Sequence, residues 1–294
     1  MHAFYARQEY IYKESFSSLI DLLIFIAEYT YNMFHEINFT TMFYFCNMKR
    51  KREKNIQAFN EDIKNTGQYL YTNFQKYSAY VATKRQSDAL ISLLREHAGE
   101  NATILDVGCG DGVFTFELFK AIMPKKIVGI DSARSAIRVA ASKIQLKDRK
   151  RIVFQYGNVY DSYKLFGSNS FDIIVVRGLL HHLYDPQRAI KSLSFLSKKI
   201  IVLESNGFSP ILKVIEKISP YHRHHEEKSY WPPKLNKWFI DVNFSVKKQL
   251  FFSIVPYFCP KSVARLLKFI EPFMERLPYI KVLYCGTNLI YYKK

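Results

Sequence analysis

Five short apolar runs, spaced by helical patterns, constrain the fold of this chain more than any other feature. They are 103–107 (TILDV), 125–130 (KKIVGI), 151–156 (RIVFQY), 171–176 (FDIIVV) and 198–205 (KKIIVLES). Each is rich in Ile or Val and too short for a buried helix, so each reads as a strand covered on both faces. Helical spacing of apolar residues marks 84–99, which ends at Gly99, and 113–122 and 132–144. Strands alternating with helices in this way imply a parallel sheet with helices on both sides. Ligands of such sheets bind beyond the carboxyl ends of the strands. The residues to read are therefore Asp106 to Gly112, Asp131, Gly157 and Asn158, Arg177 to His182, and Glu204.

The first strand runs into Gly108-Cys109-Gly110-Asp111-Gly112. Glycines let the chain turn tightly into a helix and bring its backbone close to a ligand. Asp131 follows Gly112 by 19 residues, a spacing that suits a carboxylate on ribose hydroxyls. A dinucleotide fingerprint would need glycine at 113, where this chain has Val113, which weakens an NAD or FAD site. Asp111 also reads as a helix cap, Cys109 as a small loop residue, and Arg177 equally as a solvated side chain or a ligand contact.

Taken together, ILDVGCGDG (104–112), Asp131 after VGI, GN (157–158), FDIIVVRGLLHHLYDP (171–186) and VLES (202–205) resemble the successive motifs of class I S-adenosylmethionine-dependent methyltransferases. The resemblance covers residues 80–205. It implies an α/β, Rossmann-like, doubly wound seven-stranded sheet with a C-terminal antiparallel hairpin and a helical insertion. It implies S-adenosyl-L-methionine as the cofactor. Asp106, Gly108 and Gly110 would hold its methionine part, Asp131 its ribose and Asn158 its adenine. Cys109, Ser132, Val159 and Arg177 complete the expected cofactor-binding set. Asn158 stands where the family usually has Asp, and its side-chain oxygen can still accept a hydrogen bond. His182, in the HHL turn after the fourth strand, is a candidate proton acceptor. The turn reads Arg177-Gly178-Leu179-Leu180 where amino-methylating enzymes of bases often carry (N/D)PPY, which argues against that chemistry.

Outside this module the signals are coarser. Residues 1–47 form an extension, read as dispensable or membrane-associated. Its apolar stretch 15–46 is interrupted by Asp21, Glu28, His35 and Glu36, unlike a spanning helix or a signal peptide. Residues 48–294 are the expected methyltransferase domain, with acceptor-side elements at 206–286. The segment 221–230 holds His222, Arg223, His224 and His225. Its spacing does not suit a metal, and no metal is expected. It reads as a loop over the active site, with His225 and His222 as further candidate bases. A helix is expected at 232–242, strands at 244–255 and 287–294, and between them an insertion, 256–286, that is either a packed lid or a basic, apolar patch against a membrane.

The net charge is +17, of which residues 206–294 supply +9. Such a charge suits an anionic partner. Four cysteines lie far apart, which suits a reducing compartment. The expected reaction is methyl transfer to a small-molecule or lipid-linked acceptor, at oxygen, similar to quinone-ring and cell-surface glycan-associated methyltransferases. RNA or protein methylation, supported by charge alone, and a non-catalytic cofactor-binding partner subunit remain the alternatives. Nucleic acid is not the expected partner. The expected location is cytoplasmic, with peripheral contact at the inner face of the membrane.

Overall fold

Along each central strand, successive side chains enter two different cores. The computed structural model describes residues 76–218 and 229–294, plus Ile56, Gln57, Asn60, Glu61 and Ile63. All lie within one compact unit, Arg52–Lys294. Strands β1 (Thr103–Val107), β2 (Lys126–Asp131), β3 (Ile152–Tyr156), β4 (Ile173–Arg177) and β5 (Lys199–Ser205) pair in parallel; β6 (Ser245–Phe252) and β7 (Thr287–Lys293) complete the sheet antiparallel. The order is β3-β2-β1-β4-β5-β7-β6. The direction of winding therefore reverses between β1 and β4, as the sequence implied.

On one face Ile104, Ile173, Val175, Ile201 and Leu203 pack under α1 (Tyr77–His97) and α2 (Val113–Ile122). On the other face Leu105, Val107, Ile174, Val176 and Val202 pack under α5 (Pro186–Leu193) and α7 (Pro232–Ile240). Among residues 76–218 and 229–294 the other α-helices are α3 (Arg134–Ser142), α4 (Ser162–Phe166), α6 (Pro210–Ile218), α8 (Lys261–Met274) and α9 (Lys281–Tyr284). Among the described residues no helix is long and apolar enough to cross a membrane. Residues 1–47 and 221–228 lie outside the described residues, and with them His222, His225, the expected extension and most of the expected active-site loop.

Two boundaries differ from the sequence reading for tertiary reasons. Helix α1 begins at Tyr77, because its first turns gain a partner: Val81 packs with Val255 and Ala264 of the late insertion. Strand β6 stops at Phe252, because Ser253, at φ +63°, and Ile254 turn their N–H groups onto Glu275 and Glu271 of α8. The ladder loses those donors and the chain leaves the sheet. The insertion is helical, as expected, but it does not bury its whole apolar surface.

Gly112, the residue before α2, has φ +79°. A Cβ there would lie 2.7 Å from Phe154 and 2.8 Å from Ala140. Gly112→Ala combines left-handed strain with overpacking, and should cost about 2–4 kcal/mol. Urea unfolding of the variant beside the wild type measures this directly.

Candidate active site

The carboxyl ends of β1, β2 and β3 are stitched together by backbone donors. The N–H groups of Gly108 and Cys109 donate to the Ile130 carbonyl, at 2.8 and 3.1 Å. Gly110 N–H donates to Asp131 Oδ2 at 2.9 Å, and Ala133 N–H to Oδ1 at 2.7 Å. Gly157 N–H donates to the Asp131 carbonyl at 3.0 Å, and Ser132 Oγ to the Gly157 carbonyl at 3.3 Å. Burial raises the Asp131 carboxyl above its ordinary range, and these backbone donors oppose the shift. The backbone N–H groups of Ala133, Gly110 and Ser132 all act on this carboxylate, which has about four acceptor positions, so capacity for a ligand hydroxyl remains.

Asn158 turns its side-chain oxygen back on Tyr160 N–H at 3.1 Å, capping a short 3-10 turn that contains the buried Val159. One lone pair of that oxygen stays available to a ligand. Asn60 and Ile63, upstream of the module, cover the start of α3. The Asn60 side-chain oxygen accepts from Ser135 N–H at 3.2 Å and from Ser135 Oγ, and Ile63 packs with Ala133 and Ala136.

Strand parity decides where the next two groups point. Asp106 faces the α1/α2 side, where Thr115 Oγ1 donates to its carboxylate at 2.6 Å. Asp106 is almost wholly buried, and desolvation pushes its carboxyl up to about 6, against the pull of Thr115 and of the Arg177 charge. Arg177, two residues beyond Val175 on the same face, is not a freely solvated side chain. It donates to Ser87 Oγ at 3.1 Å and lies over the Phe114 ring, 4.2 Å from the centroid. Cys109 is buried, with its sulfur against Gly129, and burial holds its thiol well above the ordinary range. It reaches the site through its backbone. Asp111 turns inward near the Lys143 ammonium, 3.8 Å away, and accepts from Val113 N–H at 3.4 Å.

The ends of β4 and β5 hold a cluster that the sequence reading had not assembled. Glu204 is 1% exposed. Its Oε1 accepts from the N–H groups of Leu179 and Leu180, at 3.0 and 2.7 Å. Its Oε2 lies 2.6 Å from His181 Nδ1. In the tautomer that donates from Nδ1 to this carboxylate, Nε2 is the basic nitrogen of the ring. His182, the histidine singled out by sequence, packs against His181 with ring centroids 4.0 Å apart. The readable signal was Glu204 itself: β4 and β5 are neighbours with Arg177 opposite Leu203, so the turn after β4 falls over the end of β5. Among the described residues no group of His, Cys, Asp and Glu is placed to hold a metal ion.

With this geometry in view, comparison with known proteins is specific. Residues 98–239 match the family described as a methyltransferase domain. A demethylmenaquinone methyltransferase of Lactococcus lactis is 25% identical over 179 residues, 58% of this chain and 67% of the relative. A release factor glutamine methyltransferase of Aliivibrio fischeri is 24% identical over 131 residues, 44% of this chain and 45% of the relative. The chain thus spans about half the length of the second relative and two thirds of the first. Among solved structures, magnesium protoporphyrin IX methyltransferase of Synechocystis with bound SAH shares the fold, with TM-score 0.55 and 15% identity over 76% of this chain and 88% of the other. A sarcosine dimethylglycine methyltransferase described from Galdieria sulphuraria does so with TM-score 0.55 and 14% identity, over 74% and 86%.

Residues 98–239 thus match a methyltransferase domain, and the described sheet has the fold of these S-adenosylmethionine-dependent methyltransferase structures. The cofactor that this domain implies is S-adenosylmethionine, and the residual acceptor capacity of Asp131 fits its ribose.

Glu204→Ala would strip the acceptor from two buried N–H groups and from His181 at once. It should lower stability by about 2–4 kcal/mol, with Glu204→Gln losing less because one oxygen remains. Denaturant midpoints of the two variants give the comparison.

Proposed function

We propose that this protein transfers a methyl group from S-adenosylmethionine to a hydroxyl of a small or lipid-linked acceptor. The His181–Glu204 pair is the observation that carries the oxygen assignment. When bound, the cofactor supplies a methyl group already activated on a sulfonium. Proximity then provides much of the rate, and a base is needed only where the nucleophile must lose a proton. A hydroxyl is such a nucleophile. His181, with Nδ1 committed to a buried carboxylate, offers Nε2 to take that proton, and Glu204 stabilises the imidazolium that forms.

The placements above support the following cofactor-binding roles. Asp131 accepts from the ribose hydroxyls, with Ser132 bracing the neighbouring loop. Asn158 and Val159 border the adenine. Gly108, Cys109 and Gly110 present backbone to the methionine part. Asp106 faces its ammonium group and Arg177 its carboxylate, a charge pattern that matches the cofactor's amino-acid end. The elements 206–286 supply the acceptor side. The L. lactis relative, named for methylation of a quinone, supports an acceptor of moderate size that is partly apolar.

Isothermal calorimetry should detect S-adenosylmethionine and S-adenosylhomocysteine but not NAD; a folded protein that binds neither sulfur compound would sink the proposal. Asp131→Ala should weaken binding by about 1.5–3 kcal/mol through the lost charged hydrogen bonds. Affinity should also fall as pH drops through about 6, because Asp106 then takes up a proton and no longer balances the ammonium. Asp106→Asn should flatten that dependence. A second measurement addresses the base. His181→Gln should lower turnover about 100-fold or more while cofactor affinity holds. Turnover is read as methyl label transferred from the cofactor to the acceptor, and an unchanged rate would remove His181 from the reaction.

A further inference from the structure

We infer that the outer face of α8 docks on the surface of an anionic lipid bilayer and sets the acceptor side of the domain against it. The insertion joins Phe252 to Thr287, and Thr287 pairs with Ser205. Both of its ends therefore sit at the carboxyl edge of the parallel strands, the edge that carries Arg177 and Glu204. The inner side of α8 is fixed to the domain. Ala264 packs with Val81 and Val255. Glu271 accepts from Ile254 N–H at 3.1 Å and pairs with Lys268; Glu275 accepts from Ser253 N–H at 2.9 Å and bonds Arg85.

The outer side is apolar and exposed. Leu266 is 62% exposed, Phe269 83% and Phe273 66%, with Val263 beside them. At about 100° per residue these four occupy about a third of the helix circumference. Arg265, exposed and 5.9 Å from the Tyr77 ring centroid, falls at one border of that arc, and the exposed Arg276 follows just past the helix end. The insertion has five basic residues and two acids, and both acids are the inward-facing Glu271 and Glu275. Among the described residues the outer face therefore presents cations and apolar rings with no acid. That is the pattern of a helix lying in a membrane interface, where rings enter the acyl boundary and Arg or Lys meets anionic headgroups. A second copy suits this face poorly, since a two-fold contact would oppose Arg265 and Arg276 to their own equivalents.

The surface stands apart from the methyl-transfer reading, and the test separates them. The full chain is sedimented with phosphatidylcholine vesicles, with and without phosphatidylglycerol. Wild type should bind the anionic vesicles about tenfold or more tightly than the neutral ones, and lose the difference in high salt. The triple change Leu266→Ser, Phe269→Ser, Phe273→Ser and the double change Arg265→Glu, Arg276→Glu should each weaken binding by about tenfold or more. Both should melt like wild type and keep cofactor affinity, since the altered side chains are exposed. Wild type that ignores anionic vesicles, or variants that bind as well as wild type, would overturn the inference. So would a dimer in sedimentation velocity that the triple change dissolves with vesicle binding absent. A chain that binds vesicles but no cofactor would sink only the proposed reaction.

Discussion

The donor side of this domain depends on a few backbone hydrogen bonds at the end of β2. The Ile130 carbonyl takes the N–H groups of Gly108 and Cys109, and the Asp131 carboxylate takes that of Gly110. A loop rich in glycine has high conformational freedom and would not hold one shape by itself. Three N–H groups anchored to one strand end remove most of that freedom before any ligand arrives. Asp131 is thus a structural acceptor for the loop as well as the carboxylate proposed to meet the ribose. The ordering cost of the loop falls on folding rather than on binding, which favours affinity.

Strand parity then separates two kinds of chemistry at one sheet edge. Asp106 and Arg177 continue the residues that face α1 and α2, and the Arg177 charge acts on the buried Asp106 carboxyl. Glu204 continues the residues of β5 that face α5 and α7, near Tyr230 and Tyr292, whose hydroxyls are pushed up by burial first and by the Glu204 charge second. One residue's shift along a strand would exchange the two faces. The Asp106 and Arg177 charges and the His181–Glu204 pair therefore need no separate subdomain. They need only the two-residue repeat of the strands and the neighbouring positions of β1, β4 and β5.

Much of this was legible in the sequence, for reasons that are physical. The Ile- and Val-rich runs fix the strands, because a doubly covered strand leaves no place for polar residues until its end. The glycine loop and Asp131 were legible because local turn geometry dictates them. The His181–Glu204 pair was not assembled, since its members are 23 residues apart and meet only when β4 and β5 are known to be neighbours. His182 stands out in the sequence by its place in a recurring turn, whereas the contact with Glu204 belongs to His181. The early start of α1 and the early end of β6 were also hidden, because both depend on residues of the distant insertion.

Those same insertion contacts explain the local excess of positive charge. A buried carboxylate is costly unless paired and hydrogen-bonded. Glu271 and Glu275 meet that requirement with Lys268, Arg85 and the two N–H groups freed where β6 ends. Arg85 is held in turn over the Phe252 ring, 4.8 Å from its centroid. Each acid thereby neutralises a cation on the inner side of α8, and Arg265 and Arg276 keep no acidic partner among the described residues. The carboxylates also fix the rotation of the helix about its axis, because they lie about one turn apart on a single face. With rotation set, the direction of the outer arc is set as well. The interaction that terminates a strand thus determines which way Phe269 and Phe273 point, and the exposed surface is a consequence of the fold rather than an addition to it.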